Sequence, residues 1–217
     1  MPHKWLIFLS LGVTTVIIFV LFIFHLLPIR APLADKIVAL ENSGNGLPTA
    51  TFINPALGSL QAPVKILVFS DFLCSACQQL AASLATVHQT YPTQVQIVWK
   101  NLPNQSLHPL ASPAAVAAHC ADQQNQFWPY HDLLFARQNQ LSQDQFMVMA
   151  QELGLDLDSF ARCVDQQDPL PVIERDLAEA QALGLTATPT LFINQRSYAG
   201  ALSTASLISY VENALRP

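Results

Sequence analysis

The 217-residue chain carries 10 Lys and Arg against 15 Asp and Glu, a net charge of −5. That balance gives no electrostatic reason to expect nucleic acid as a partner, and only 12% of the residues are charged although 51% are hydrophobic. The length accommodates one medium domain plus an appendage, and neither an internal repeat nor a long low-complexity tract interrupts it.

Taken from the N-terminus, Trp5–Leu27 contains no Asp, Glu, Lys or Arg. As a helix it would extend about 34 Å, enough to cross a bilayer. A cleavable signal peptide has a shorter apolar region with small residues at its cleavage site, whereas Pro28, Arg30 and Pro32 follow this one. The expectation is therefore an uncleaved single-pass anchor, residues 1–27, with the span at 5–27 in contact with the lipid bilayer. A cleaved signal is the rival reading, and a buried soluble helix is the third. Lys4 precedes the span while Arg30 and Lys36 follow it, so the positive-inside count is indecisive. Four cysteines, two of them spaced for redox chemistry, suit an oxidising compartment. The expected location is thus the inner (cytoplasmic) membrane, with the domain facing the periplasm or cell exterior. Residues 28–48 read as a linker containing the flexible stretch Asn42-Ser43-Gly44-Asn45-Gly46. Leu33, Ile37 and Leu40 have the spacing of a short amphipathic helix, either a stalk segment or a dimerisation helix.

The folded domain is expected over 49–217. Thr51–Asn54 reads as a short edge strand. Ile66–Phe69, within Val64–Ser70, has the length and β-branched content of a buried central strand. A polar turn leads to Cys74-Ser75-Ala76-Cys77, after which Leu80, Leu84 and Val87 mark the apolar face of a helix over Ser75–Thr90. Cys74 thus sits where a helix begins. Unpaired N–H groups and the positive end of the helix dipole stabilise an anion there, which makes a thiolate a better nucleophile and leaving group. Cys77 lies one turn on and can close on Cys74 as a disulfide. The competing reading of this pair is half a zinc site, but structural zinc wants four clustered ligands, and Cys120 and Cys163 stand alone in the sequence.

Val95, Ile97 and Trp99 alternate with Gln96, Val98 and Lys100, the pattern of a half-buried strand. The strand–helix–strand unit implies parallel pairing with a right-handed crossover. A long helical stretch follows: alanine-rich Pro113–Asp122; Phe127, His131, Leu134 and Phe135 on one face; a helix opened by Ser142 and Gln145 and stopped at Gly154; one capped by Asp156 that holds Phe160 and Cys163; and Pro169–Leu183 before Gly184. Strand signals return at Thr190–Asn194 and Arg196–Ala199, and Ser203 caps a last helix carrying Leu207, Val211 and Leu215. The outline is βαβ, a helical insertion at about 111–183, then ββα, an α/β fold.

Three stretches carry a resemblance. Val68–Cys77 is similar to the strand and active site of the DsbA-like thiol:disulfide oxidoreductases, which have a thioredoxin-like fold with inserted helices. Cys120-Ala121-Asp122 through Phe127–Phe135 resembles that family's insertion signature. Thr186–Asn194 resembles its cis-proline strand. The resemblance implies that Cys74 is the attacking cysteine and Cys77 the resolving one. It further implies that Pro189 is a cis-proline beside them, and that Thr188 exposes its backbone to a substrate segment that pairs like an added strand. Ser75 and Ala76 form the intervening dipeptide. Unlike the best-known oxidant of the family, this dipeptide has no histidine, and Leu73 stands where thioredoxin has Trp before its first cysteine.

The implied activity is disulfide formation and exchange in exported cysteine-containing proteins. It requires a membrane redox partner to recycle the dithiol and no cofactor beyond Cys74–Cys77. Reduction or isomerisation on the same fold, and Cu(I) carriage by the two thiolates, are the alternatives. Cys120 and Cys163 are left either to pair with each other as a structural disulfide or to remain two buried thiols. Phe127, Trp128, Tyr130 and Phe135 read as core, with part of the group free to line a groove. His108, His119 and His131 lack ligand spacing, so no metal site is expected among them. Asp71 reads as a turn residue, with proton transfer near the dithiol as the other possibility.

Overall fold

The computed structural model describes residues 46–216. The proposed span at 5–27 and most of the linker lie outside the described residues. Among the described residues no helix is long and apolar enough to cross a membrane.

Two faces of a five-stranded sheet are covered, and the strand sequences explain why. β2 (Val64–Ser70) is buried at every position except Lys65. It pairs in parallel with β3 (Val95–Asn101), Ile66 opposite Ile97 and Val68 opposite Trp99. On its other side it runs antiparallel to β4 (Thr190–Ile193), which β5 (Arg196–Ala199) follows as a hairpin. β1 (Ala56–Leu57) pairs with the outer edge of β3, giving the order β1-β3-β2-β4-β5. Thr51–Asn54, read from sequence as the edge strand, is instead a turn closed by Asn54 N–H donating to Thr51 O. The strand begins two residues later, after Pro55.

Alternation across the pleat divides the core. Ile66, Val68, Ile97, Trp99, Leu191 and Ile193 point to the face covered by α1 (Ser75–Thr90) and the C-terminal helix (Thr204–Leu215, α7), meeting Leu80, Leu84, Val87, Leu207 and Val211. Leu67, Phe69, Val98 and Phe192 point the other way, against Ala180 of α6 (Leu170–Ala182). The insertion between them comprises α2 (Ala111–Asp122), α3 (Phe127–Ala136), a 3-10 turn (Gln138–Gln140), α4 (Gln143–Glu152), α5 (Leu157–Gln166) and α6. Its caps follow the sequence: Ser142 Oγ accepts from Gln145 N, and Asp156 Oδ1 from Ser159 N.

β3 departs from the half-buried pattern, since all seven of its residues are buried. The reason is α6, which covers the second face and supplies partners for Lys100 and Asn101. Lys100 Nζ lies 3.2 Å from Asp176 Oδ1 and 2.9 Å from Glu179 Oε2. Asp176, fully buried, also accepts from Asn54 Nδ2, from the Asn101 main chain at 2.9 Å and from Asn101 Nδ2 at 2.7 Å. The Asn101 side chain is saturated as well: its amide N–H groups go to Asp176 and to His119 Nε2 (2.9 Å), and its oxygen accepts from Trp99 Nε1 (2.9 Å). Since buried polar groups left unpaired each cost about 1–3 kcal/mol, this closed network holds β3, α2 and α6 in one relative position.

Cys120 on α2 and Cys163 on α5 are bonded, S–S 2.02 Å, across 43 residues. Closing a loop of that length restricts the unfolded chain by about 4 kcal/mol. The bond ties together two helices of the insertion whose neighbouring side chains, Phe160 among them, are already in the core.

His119 makes stability depend on pH. Accepting a hydrogen bond at Nε2 requires a neutral ring, and burial pushes its pKa down to about 4 against the opposing pull of the Asp176 charge. The unfolded ring titrates at about 6.5, so between these values the unfolded chain holds the extra proton. This contribution is full above about pH 6.5 and is lost as pH falls through about 4, by about 3 kcal/mol at the limit. Urea midpoints measured between neutral and mildly acidic pH should decline accordingly. His119→Gln, which keeps an acceptor for Asn101, should flatten the decline; an equally steep decline in the variant would assign it to other groups.

Candidate functional site

The end of β2 delivers the chain directly into the first turn of α1. Cys74 is the N-cap residue, with extended backbone angles, and Gln78 N–H donates to its carbonyl at 3.1 Å. The residue is half-exposed, and its sulfur uses no side-chain cap bond. It therefore stands over the free N–H groups of the helix start, where negative charge is favoured. Ser75 is exposed and Ala76 half-buried on that same turn. Cys77, one turn in, is 1% exposed and faces the core. Both thiols are free in this structure.

Burial pushes the Cys77 thiol up to about 12, in part offset by hydrogen bonds from the Ser70 hydroxyl and the Asp71 main chain and reinforced by Cys74. The two sulfurs thus have different tasks open to them. Cys74 is reachable by another protein, whereas Cys77 can react only with what is already bonded to Cys74.

The second wall of the site comes from the far end of the chain. The Thr188–Pro189 peptide is cis, and Thr188 O accepts from the Cys74 thiol at 3.5 Å. Gly200 N–H donates to Pro189 O and Thr190 Oγ1 to Ala187 O, which fixes the loop that enters β4. The residues named from the sequence, Cys74, Ser75, Ala76, Cys77, Thr188 and Pro189, are therefore brought together at one end of the sheet. Cys120 and Cys163 are placed apart from them, within the helical insertion.

Several residues that hold the dithiol carry no sequence signal. Gln138, buried in the 3-10 turn, donates from Nε2 to Phe72 O at 2.8 Å and to Cys74 O at 3.0 Å. Gln78 Nε2 in return donates to Phe135 O. These bonds clamp the active-site turn to the insertion. Nothing in a glutamine-rich segment 64 residues downstream marks one glutamine as the clamp. Asp71 is the turn residue expected: Oδ1 accepts from Leu73 N (2.8 Å), and Oδ2 accepts from Asn104 N (3.0 Å) and faces His108 Nδ1 (2.8 Å).

The aromatic group belongs to the core. Phe72, two residues before Cys74, stacks on Trp99 at 4.5 Å, and His131 stands edge-on to both. Phe127, Tyr130 and Phe135 are buried, and Trp128 is half-buried. Beneath Cys77 these rings leave a cavity of about 180 Å³, mostly apolar, lined by Ser70, Cys77, Leu84, Trp99, Trp128 and His131 among others. Among the described residues no three His, Cys, Asp or Glu side chains come together as metal ligands.

A family model described as thioredoxin matches residues 52–213. The chain is 35% identical over 165 residues to a protein of Salinispora tropica named Na(+)/H(+) antiporter NhaA 3, a match that covers 74% of this chain and 25% of that protein. The chain thus spans about a quarter of that relative's length. Among solved structures, a thioredoxin-like oxidoreductase from Silicibacter pomeroyi is 25% identical, with a TM-score of 0.67 over 76% of this chain and 93% of its own. BdbD from Bacillus subtilis, in its oxidised form, is 19% identical, with a TM-score of 0.68 over 76% and 94%. With the dithiol at a helix start, a cis-proline opposite it and helices inserted between the two halves of the sheet, the chain belongs to the thioredoxin family and has the fold of its DsbA-like thiol:disulfide oxidoreductases.

Proposed function

We propose that this protein is a membrane-tethered thiol:disulfide oxidoreductase that works outside the cytoplasm on exported cysteine-containing proteins. One observation carries the reading: a half-exposed Cys74 at a helix N-terminus, its sulfur 3.5 Å from the main chain before the cis-proline, with Cys77 buried one turn behind it.

In the oxidising direction Cys74 and Cys77 begin as a disulfide. A substrate thiolate attacks the Cys74 sulfur, the Cys74–Cys77 bond breaks, and Cys77 leaves and takes up a proton. A second substrate thiolate then attacks its own sulfur in the mixed disulfide, releasing Cys74 as a thiolate. The substrate is oxidised by two electrons and the dithiol reduced by two. A membrane redox partner must withdraw them for the next cycle, and the dithiol itself is the only redox group the chemistry uses. The helix start at Cys74 favours its departure as an anion. Thr188 O and the adjoining main chain offer an edge along which an extended substrate segment docks.

The tether is Trp5–Leu27, whose composition suits a bilayer span. The Salinispora tropica relative is by name a membrane transport protein in which the matching stretch is one quarter of the chain, in keeping with work at a membrane surface. The Cys120–Cys163 bond suits an oxidising compartment on the far side of that membrane.

Three experiments test these statements. Cys74→Ser should abolish disulfide transfer, while Cys77→Ser should accumulate mixed disulfides with substrates on non-reducing gels; transfer that persists in the first variant would reverse the assignment. Equilibration with glutathione should give a reduction potential well above the roughly −270 mV of thioredoxin. A value near that of thioredoxin would turn the net direction to reduction. The full-length protein should stay with membranes through alkaline carbonate washing, and protease added to intact spheroplasts should digest its domain. A soluble form beginning after Leu27 would show a cleaved signal instead, and a domain protected until lysis would place it in the cytoplasm.

A further inference from the structure

The cavity behind the dithiol contains more polar chemistry than its apolar walls suggest. Among the described residues, Trp128 Nε1 and His88 Nδ1 are buried without a hydrogen-bond partner, and both residues line it. At about 180 Å³ it far exceeds the roughly 10–15 Å³ that one water needs, and a partly open cavity of this size edged by polar atoms is a hydrated one. Ser70, Cys77, His131 and Asp132 share that lining. His131 is 6% exposed. Its Nδ1 meets Asp132 Oδ1 at 2.8 Å, and the Asp132 side chain is 76% exposed. The pair therefore bridges the cavity and bulk water, and with Nδ1 taken, Nε2 is the ring nitrogen left over.

Whenever Cys77 attacks a mixed disulfide on Cys74 it must first lose a proton, although burial holds that thiol at about 12. Asp71 is poorly placed to accept it, because both its carboxylate oxygens already take hydrogen bonds from Leu73, Asn104 and His108. Burial pushes His131 below the ordinary histidine range, with Asp132 opposing the shift. The ring is then neutral near pH 7, a proton on Nδ1 facing Asp132 and a bare lone pair on Nε2. Among the described residues, the ionisable groups that share this lining with His131 are Cys77 and His88 from α1 and Asp132 from its own helix. β1, β2 and β3 contribute no ionisable side chain to the lining. Phe127 packs against both His131 and His119 of α2.

We infer that His131 receives the Cys77 proton, relayed by the Ser70 hydroxyl and cavity water, and passes it to solvent through Asp132. The inference rests on the thiol-exchange reading of the dithiol. In the step concerned, the Cys77 S–H bond breaks and its proton moves along the relay to Nε2. The Cys77 sulfur forms a bond to the Cys74 sulfur, and the bond from Cys74 to the other thiol breaks. That thiol leaves as a thiolate and takes a proton from water, so the charge on His131 is discharged through Asp132 with no net gain or loss.

Mixing reduced full-length protein with dithionitrobenzoate separates the two cysteines. One coloured thiolate is released as Cys74 attacks, and a second as Cys77 displaces the mixed disulfide. In His131→Phe, which keeps an aromatic ring in the cluster, the second phase should slow on the order of a hundredfold at neutral pH. Its rate should climb steadily with pH where the parent's is flat, because hydroxide must replace the internal base, while the first phase keeps its rate. Asp132→Asn, at a side chain that is 76% exposed, should slow the second phase in the same direction by a smaller factor, and it decides alone if His131→Phe does not fold. Second phases with the parental rate and pH profile in the variants would overturn the relay. A parent with a first phase but no second would overturn the exchange reading, and the relay with it.

Discussion

A single turn of helix separates the two cysteines by more than distance. Because α1 starts at Cys74 and its apolar face begins with Cys77 and Leu80, the same hydrophobic packing that docks the helix pulls one thiol under the surface and leaves the other at the rim. The difference in reactivity is thus a by-product of amphipathicity, and it needs no charged residue between the cysteines. Ser75 and Ala76 are adequate there because the geometry does not depend on them. A rotation of α1 by one residue would bury the wrong sulfur. The register of Leu80, Leu84 and Val87 against Val68, Ile97 and Trp99 is therefore as much part of the site as the thiols are.

That register is defended from the opposite side of the sheet. Trp99 touches Phe72 with its ring and Asn101 with its indole N–H, so one side chain links the turn before the dithiol to the buried amide, carboxylate and imidazole shared by β3, α2 and α6. Gln138 supplies a second link, from the insertion to the carbonyls on either side of Leu73. The inserted helices are in this sense a brace as well as a cover.

Much of this was legible in the chain itself. A short β-branched run followed by a period of 3.6, a cysteine pair at their junction, capping serines and aspartates, and helix-ending glycines at 154 and 184 all report on neighbours a few residues away, and local signals survive in sequence. What was not legible is non-local. Lys100 looked like the exposed side of a half-buried strand because its neutralising carboxylates come from positions 176 and 179. Thr51–Asn54 looked extended because only the tertiary pull of Asp176 on Asn54 shows why the chain turns there. Gln138 and Ser70 earn their places through contacts that no spacing rule encodes. The pairing of Cys120 with Cys163 stood as one of two options until the facing of α2 and α5 was seen.

The order of that pairing has a consequence for how the molecule comes into being. The bonded cysteines are the third and fourth of the chain, and the first two form the site. Every cysteine thus has its proper mate as its sequence neighbour, with no interlacing. Synthesis from the N-terminus presents Cys74 and Cys77 together before Cys120 emerges. Once those two have closed on each other, Cys163 is the one free thiol left for Cys120 to pair with. Each pair can therefore close in turn, in the order in which the chain is made.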